Sequence, residues 1–547
     1  MGRFRRAAFG PGQVNSEESR HELWIAQGDG GRRFRRGSAP LRWGVVFSDC
    51  STKRTEALTM TQTEKPSTNG KVIALAVAGA FGGFLFGFDA SVINGAVNAI
   101  QDEYALTATL TGFAVASALL GAAAGAYLGG RVGDRYGRIP VMLLGSIMFF
   151  VSSVGSAFAF SIYDLVLWRI VGGLGIGLAS VVAPAYIAEI SPRAIRGRLG
   201  SLQQLAITIG IFSALLSDAL FANTAGGAGE PSLFGIDAWR WMFLACALPA
   251  AVYFVIAKIL PESPRFLVLK DRETEARAVF QKVWPNGDVD REIRDIRASI
   301  KADTLGQRTG SLRGKAFGLR PIVWIGILLS MFQQFVGINV IFFYSTTLWK
   351  AVGFEESSSL TISVFTGLTN IAVTFIAIAL IDRIGRRPIL MTGSIGMTLS
   401  LATMAIAFSQ AVTVGGEISL PGAWGGIALV AANVFVVFFG ASWGPVVWVL
   451  LGEMFPNTIR VKALGIAAAA QWIANFLIAV TFPTLAAVSL PLTYGLYALF
   501  AALSFVFVLT KIPETNGMSL DEANTLLPPK NAAKTASKNA VKQTEVR

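Results

Sequence analysis

The chain has 547 residues, is 53% hydrophobic and 15% charged, and has a mean hydropathy of +0.55. That excludes an ordinary soluble protein of this length. The net charge of +13 invites a nucleic-acid partner, but the spacing of the basic residues argues for a membrane instead. Two cysteines, Cys50 and Cys246, and one histidine, His21, give neither a disulfide framework nor a zinc cluster. With no Walker-type phosphate loop either, no cofactor or metal is expected.

Residues 1–59 are Arg-rich and lack the continuous apolar core of a signal peptide. They read as an upstream extension or a misassigned start, since Met60 opens a short polar lead (MTQTEKPSTNGK) into the first apolar run. Twelve runs then follow, each long enough to cross a bilayer: 72–99, 108–131, 139–160, 163–188, 199–221, 240–260, 319–349, 358–381, 388–410, 424–451, 462–484 and 491–511. The loops after even-numbered spans hold Arg131, Arg135 and Arg138, then Arg193, Arg196 and Arg198, then the segment 261–318, then Arg383, Arg386 and Arg387, then Arg460 and Lys462. The alternate loops are nearly free of Lys and Arg, so the positive-inside rule puts both termini in the cytoplasm.

Span one contains Asp89, and span four contains Arg169. A charge inside the bilayer is costly unless it is paired or periodically protonated. The two residues are expected to meet in the bundle, as a proton-coupling pair or as a static ion pair. Span two has glycines at 121, 125 and 129, a small-residue stripe for close helix packing. The Gly172–Gly177 stretch reads the same way.

Three loop motifs recur in order. Asp-Arg-x-Gly-Arg appears at Asp134–Arg138 and Asp382–Arg386. A Glu followed after six residues by Arg appears at Glu189/Arg196 and Glu453/Arg460. Pro-Glu-Ser/Thr appears at Pro261 and Pro513. The chain is therefore a duplicated six-span unit. Carboxylates and arginines at these loops can pair between the halves when the inner side is closed and separate when it opens, or the loops can anchor to anionic lipid. Segment 261–318 alternates charge and reads as short amphipathic helices on the cytoplasmic surface, a solvated face by default.

Uncharged amides interrupt several spans: Gln203 and Gln204 in span five, Gln333, Gln334 and Asn339 in span seven, and Gln471 and Asn475 in span eleven. Amides that donate and accept, beside Phe342, Phe343 and Tyr344, suit a neutral polyhydroxylated ligand. They also suit helix–helix glue. Gly337 predicts a bend that brings Gln334 and Asn339 together. In span ten, Gly444 and Pro445 predict a broken helix, and Trp443 and Trp448 are stacking faces or belt residues. The tail is polar and reads as disordered from about Asn531.

These motifs together (RVGDRYGR, PAYIAEISPRAIRGRLG, PESPRFL, QQFVGIN, IDRIGRRP, WGPVVWVLLGEMFP and PNTIRVKALG) resemble the sugar porter family of the major facilitator superfamily over about 72–517. The resemblance implies an all-α membrane protein with the major facilitator fold. It would comprise an N-terminal extension (1–71), an N-terminal six-helix bundle (72–260), cytoplasmic linker helices (261–318), a C-terminal six-helix bundle (319–511) and a cytoplasmic tail (512–547). It implies a sugar held by Gln204, Gln333, Gln334, Asn339, Trp448, Gln471 and Asn475, with Phe86 and Trp472 lining the pocket. Asp89 falls where proton-coupled members carry an acid, and Arg169 matches its partner. The inner gate would be Asp134, Arg135, Arg138, Glu189, Arg196, Asp382, Arg386, Arg387, Glu453 and Arg460. The family's Tyr-Tyr pair reads Phe343-Tyr344 here, and Ser330-Met-Phe stands where many animal glucose carriers have Gln-Leu-Ser, which points to bacterial relatives. Ile211 replaces the glutamine of pentose-type relatives and favours hexose. The expectation is a monomeric, non-enzymatic importer of a monosaccharide with a proton across the cytoplasmic membrane, contacting lipid but no nucleic acid. A facilitative uniporter, a symporter for xylose, arabinose, galactose or inositol, or a membrane sugar sensor are the alternatives.

Overall fold

The computed structural model describes residues 70–191, 195–283, 288–309, 312–414, 417–455 and 459–515, all within one compact unit, Pro66–Arg547. The expected extension up to residue 69 and the tail from 516 lie outside the described residues.

Twelve helical segments are long and apolar enough to cross a membrane. The first half is α1 (Gly70–Glu103), α2 (Ala108–Tyr136), α3 (Arg138–Ala157), α4 (Ile162–Ile190), α5 (Arg196–Ala225) and the pair α6 (Ala238–Ala245) and α7 (Ala247–Ile259), which together form span six. Three shorter helices follow: α8 (Pro264–Leu269), α9 (Glu273–Val283) and α10 (Val289–Thr309). Span seven is three pieces, α11 (Pro321–Phe335), α12 (Ile338–Phe343) and α13 (Ser345–Lys350). Then come α14 (Glu356–Ile384), α15 (Arg386–Ser409), α16 (Trp424–Ala441) with α17 (Trp443–Met454) as span ten, α18 (Arg460–Val488) and α19 (Leu490–Lys511).

Local chemistry sets the ends. Thr107 caps α2 by accepting the Leu110 N–H, and Ser161 caps α4 by accepting the Asp164 N–H at 3.2 Å. Ser489 caps α19, which begins Leu-Pro, where the missing proline N–H costs nothing. On α3, Leu144, Ile147, Phe150 and Val151 are exposed at helical spacing. Such an apolar stripe is stable only against lipid.

The glycine stripe does what its spacing implies. A Cβ on Gly121 or Gly125 would strike the backbone of Ile170 or Leu174, so α2 lies directly on α4. Gly173 and Gly177 of α4 answer against the Ala118 and Ala122 backbone. The linker departs from the simple solvated face. Leu267, Val268, Ala276, Val279, Phe280, Val283 and Ile293 form a separate apolar cluster with Val72, Ala76 and Ala80 of α1, Ile187 of α4 and Leu199 of α5. The linker helices are thus docked on the Arg-rich side of the first half, because their charged pattern hides one apolar face each.

The candidate sugar and proton site

The break in span seven falls at Gly337, whose φ of +81° is a left-handed conformation open to glycine. A Cβ there would also lie 2.6 Å from the Tyr497 ring. The break swings Asn339 back onto α11, where its Nδ2 donates to Gln334 Oε1 at 2.6 Å. Gln333 and Gln334 are buried, and Gln334 Nε2 reaches Gln333 Oε1 at 3.4 Å. Gln333 Nε2 donates to the carbonyls of Trp443 (2.8 Å) and Gly444 (3.2 Å). Span ten is broken just ahead of these residues. The break is at Ser442 (φ −131°, ψ −83°), and Pro445 sits in the first turn of α17. A first-turn proline needs no N–H partner, so it starts the second helix instead of interrupting the first.

Across from this amide chain, Phe86 of α1 meets Trp472 of α18 edge-on, with ring centroids 5.3 Å apart. Gln471 Oε1 and Asn475 Oδ1, one turn apart on α18, are buried acceptors with no partner. Gln203 Oε1 is likewise unpartnered, and its side chain lies over Gly83 of α1. Unsatisfied buried acceptors are costly unless a ligand or water fills them. Gln204 is half-buried beside Gln203. Trp448 is 40% exposed, and neither residue has a described side-chain contact that joins it to the amide chain. Tyr344 is buried and donates to the Ala479 carbonyl at 2.8 Å, so it ties span seven to span eleven.

Asp89 and Arg169 meet as the sequence implies. Arg169 Nη1 stands 3.0 Å from Asp89 Oδ1, with side chains 3% and 9% exposed. The pair is single-pronged. Among the described residues the guanidinium reaches otherwise the Asp89 carbonyl at 3.5 Å and the Phe243 ring at 5.7 Å, and Arg169 Nε has no partner there. Bidentate geometry and full satisfaction are what make a buried pair durable, and this one lacks both. Phe86, Asp89, Arg169, Phe343 and Trp472 line one small cavity, so the ion pair and the two rings lie together; the amides do not line it.

On the Arg-rich side the motifs build the same clamp twice. Arg138 holds Glu189 in a two-pronged pair (2.8 and 3.0 Å), and Arg386 holds Glu453 (2.9 and 3.2 Å). Glu262 accepts the N–H groups of Arg138 and Ile139, while Glu514 accepts those of Arg386 and Arg387. Each carboxylate thereby caps a helix N-terminus. Ser263 and Thr515 donate to Glu189 and Glu453, each at 2.5 Å. Gly137 (φ +106°) and Gly385 (φ +96°) make the same turn. These described pairs join residues of one half and not residues across the two halves. Asp134 adds to Arg138 at 3.0 Å, Arg135 lies over the Tyr136 ring, and Arg387 donates to the Leu509 carbonyl. The side chains of Arg196, Asp382 and Arg460 lie outside the described residues.

The halves do meet on the Arg-poor side. Asn94 of α1 accepts the Thr346 N–H at 3.0 Å and donates to Ser363 Oγ at 3.3 Å; Ser363 in turn bonds Ser345. Thr347 donates to Asn98, and Thr109 pairs with Thr484. Asn94 and Asn98 met the same test as Gln333, an amide in an apolar run, and Asp218 of span five met the test applied to Asp89.

A twelve-span bundle with a buried ion pair, amides at helix breaks, and one closed side defines a membrane transport protein of the major facilitator fold. The family model for the "Sugar (and other) transporter" matches residues 75–527. The chain is 52% identical over 453 residues to a glucose transport protein of Synechocystis, spanning 82% of this chain and 96% of that one. The structure of the proton:xylose symporter XylE bound to 6-bromo-6-deoxy-D-glucose superposes with a TM-score of 0.70 at 33% identity, covering 84% of this chain and all of the other. An inward-open structure of XylE from E. coli gives 0.71 at 33% identity, with the same coverage. The chain belongs to the Sugar (and other) transporter family, in the sugar porter branch of the major facilitator superfamily.

Proposed function

We propose that this protein imports a hexose, with D-glucose favoured, together with a proton by alternating access. The observation that carries the reading is the buried, incompletely satisfied Asp89–Arg169 pair, which shares a small cavity with Phe86 and Trp472. A proton on Asp89 removes the charge that holds Arg169, next to the rings assigned to the sugar. Support for the substrate comes from a relative described as a glucose transport protein and from proton symporters of xylose among the others.

On this reading Gln333, Gln334, Asn339, Gln471 and Asn475 hold the sugar hydroxyls. Phe86 and Trp472 take its C–H face, and Gln204 and Trp448 join when the site closes. The positive-inside rule places the Arg-rich side and both termini in the cytoplasm. The closed side is then the outer one. The two clamps act inside each half, holding it as a rigid body while the halves rock. Residues 1–71 and 512–547 flank the transport unit, which works as a monomer among membrane lipids. A potential of about 100 mV supplies about 2.3 kcal/mol per charge, or about 50-fold accumulation for one proton per sugar.

The test is radiolabelled glucose uptake into proteoliposomes of the wild-type protein, with and without an inward proton gradient. Accumulation above the external concentration only with the gradient supports symport. Equilibration unaffected by the gradient assigns a uniporter. If glucose does not move while xylose or galactose does, the substrate assignment is wrong and the transport reading stands.

A further inference from the structure

Span five carries a carboxylate that the transport reading does not use. Asp218 sits about two turns before the Arg-poor end of α5. It is 0% exposed. Its Oδ2 accepts the Gly95 N–H of α1 at 3.2 Å, and its Oδ1 is buried with no partner. The contact needs glycine, because a Cβ on residue 95 would stand 2.6 Å from the Asp218 Cβ.

The groups around it supply no counter-charge. From α1, Asp89 is committed to Arg169 of α4. At the junction of α6 and α7, Cys246 lies within electrostatic reach of Asp89, Asp218 and Arg169. Arg240 of α6 is held by Glu103 and Asp237 near the Arg-poor end. α14 has no charged side chain between Glu356 and Asp382. Among the described residues no ion pair includes Asp218. An ionised carboxylate in a membrane core without a cation is expensive. A proton on Oδ1 removes that charge and leaves Oδ2 free to accept from Gly95.

Position gives the proton a role. Gly95 follows Asn94, the residue whose amide closes the Arg-poor side against Thr346 and Ser363. Opening that seal would bring water to the end of α1 against which Asp218 packs. We propose that Asp218 is a second intramembrane proton site, distinct from Asp89, occupied while the Asn94 seal is closed and exchangeable when it opens. This rests on the alternating-access reading above. The transfer is a simple protonation: the proton comes from water on the Arg-poor side, joins a carboxylate oxygen, and returns to water.

The test is infrared spectroscopy of the full-length protein in lipid, following the C=O band of protonated carboxyl groups in H2O and D2O, for wild type, Asp218→Asn and Asp89→Asn. A band in wild type that is lost in Asp218→Asn and kept in Asp89→Asn is the expected result. Absence of the band in wild type, or its survival unchanged in Asp218→Asn, overturns the proposal. If the asparagine variant does not fold, Asp218→Glu keeps a titratable carboxyl and is expected to shift the band; an unshifted band counts against. Wild-type glucose accumulation measured alongside separates the two readings. Accumulation without an Asp218 band removes only the second proton site, whereas no gradient-driven accumulation removes symport itself.

Discussion

The two halves repeat one clamp and differ in the middle of the membrane. Arg138–Glu189–Glu262 and Arg386–Glu453–Glu514 agree down to the positive φ of the turn glycine and the hydroxyl that completes each set. Spans one and seven also share a Gly-x-Asp/Asn frame, Gly87-Phe-Asp89 and Gly337-Ile-Asn339. Yet α1 runs unbroken through Gly87, where a side chain would strike the Ile207 backbone, while span seven breaks at Gly337. In the first half the frame presents a carboxylate to Arg169; in the second it presents an amide to Gln334. The duplicated part is what any rocking half needs, a stiff Arg-rich end. The divergent part is where we assign separate work: charge, and so the proton, to the first half, and hydrogen-bonding amides, and so the sugar, to the second.

The largest expected effect breaks the clamp and asks how equal the copies are. Arg138→Ala removes the two-pronged partner of the buried Glu189 and leaves it Ser263 and the more distant Arg265 at 3.9 Å, with a cost of about 3 kcal/mol, seen as a drop in thermal midpoint and yield in detergent. Arg386→Ala is expected to cost less, because the Glu453 side chain is 29% exposed against 11% for Glu189. Equal losses would mean that burial does not set the cost.

Next come the two frame glycines. Gly337→Ala forces a left-handed alanine, about 1–2 kcal/mol, against the Tyr497 ring, and is expected to weaken glucose affinity with the fold retained. Gly87→Ala meets rigid backbone and is expected to lower stability instead. Glucose titration and thermal melts separate the two, and the same phenotype for both would undo the distinction between a break glycine and a packing glycine.

Gln333→Ala removes a donor to the Trp443 and Gly444 carbonyls. We expect sugar affinity to fall by about 10-fold, from roughly 1–2 kcal/mol of lost or unsatisfied hydrogen bonding. Isothermal titration would show it; unchanged affinity removes Gln333 from the site. The smallest effect is expected at Arg272→Ala in the linker. Its pair with Glu275 at 2.7 Å is exposed on both sides, so its loss should leave the thermal midpoint almost unchanged in a melt.

Much of this was legible in the residues. Apolar run length gave all twelve spans, the four-residue glycine spacing gave the α2–α4 contact, Gly337 gave the break, and two isolated charges gave Asp89–Arg169. Gly444 and Pro445 announced the break in span ten, but its place, at Ser442 three residues before the proline, is visible only in the backbone. The clamps were legible as motifs but not as pairs, since sequence order does not say whether Glu189 finds an arginine in its own half. The Asn94 seal spans some 250 residues of chain, and no local pattern announces such a contact.

The most direct measurement is a paired one on Asp89→Asn and Asn339→Ala in the same proteoliposomes, reading glucose exchange and gradient-driven accumulation separately. Division of labour predicts that Asp89→Asn keeps exchange and loses accumulation. It predicts that Asn339→Ala raises the glucose concentration needed for both, while accumulation at saturating sugar persists. Accumulation by Asp89→Asn, or normal glucose dependence in Asn339→Ala, would contradict it.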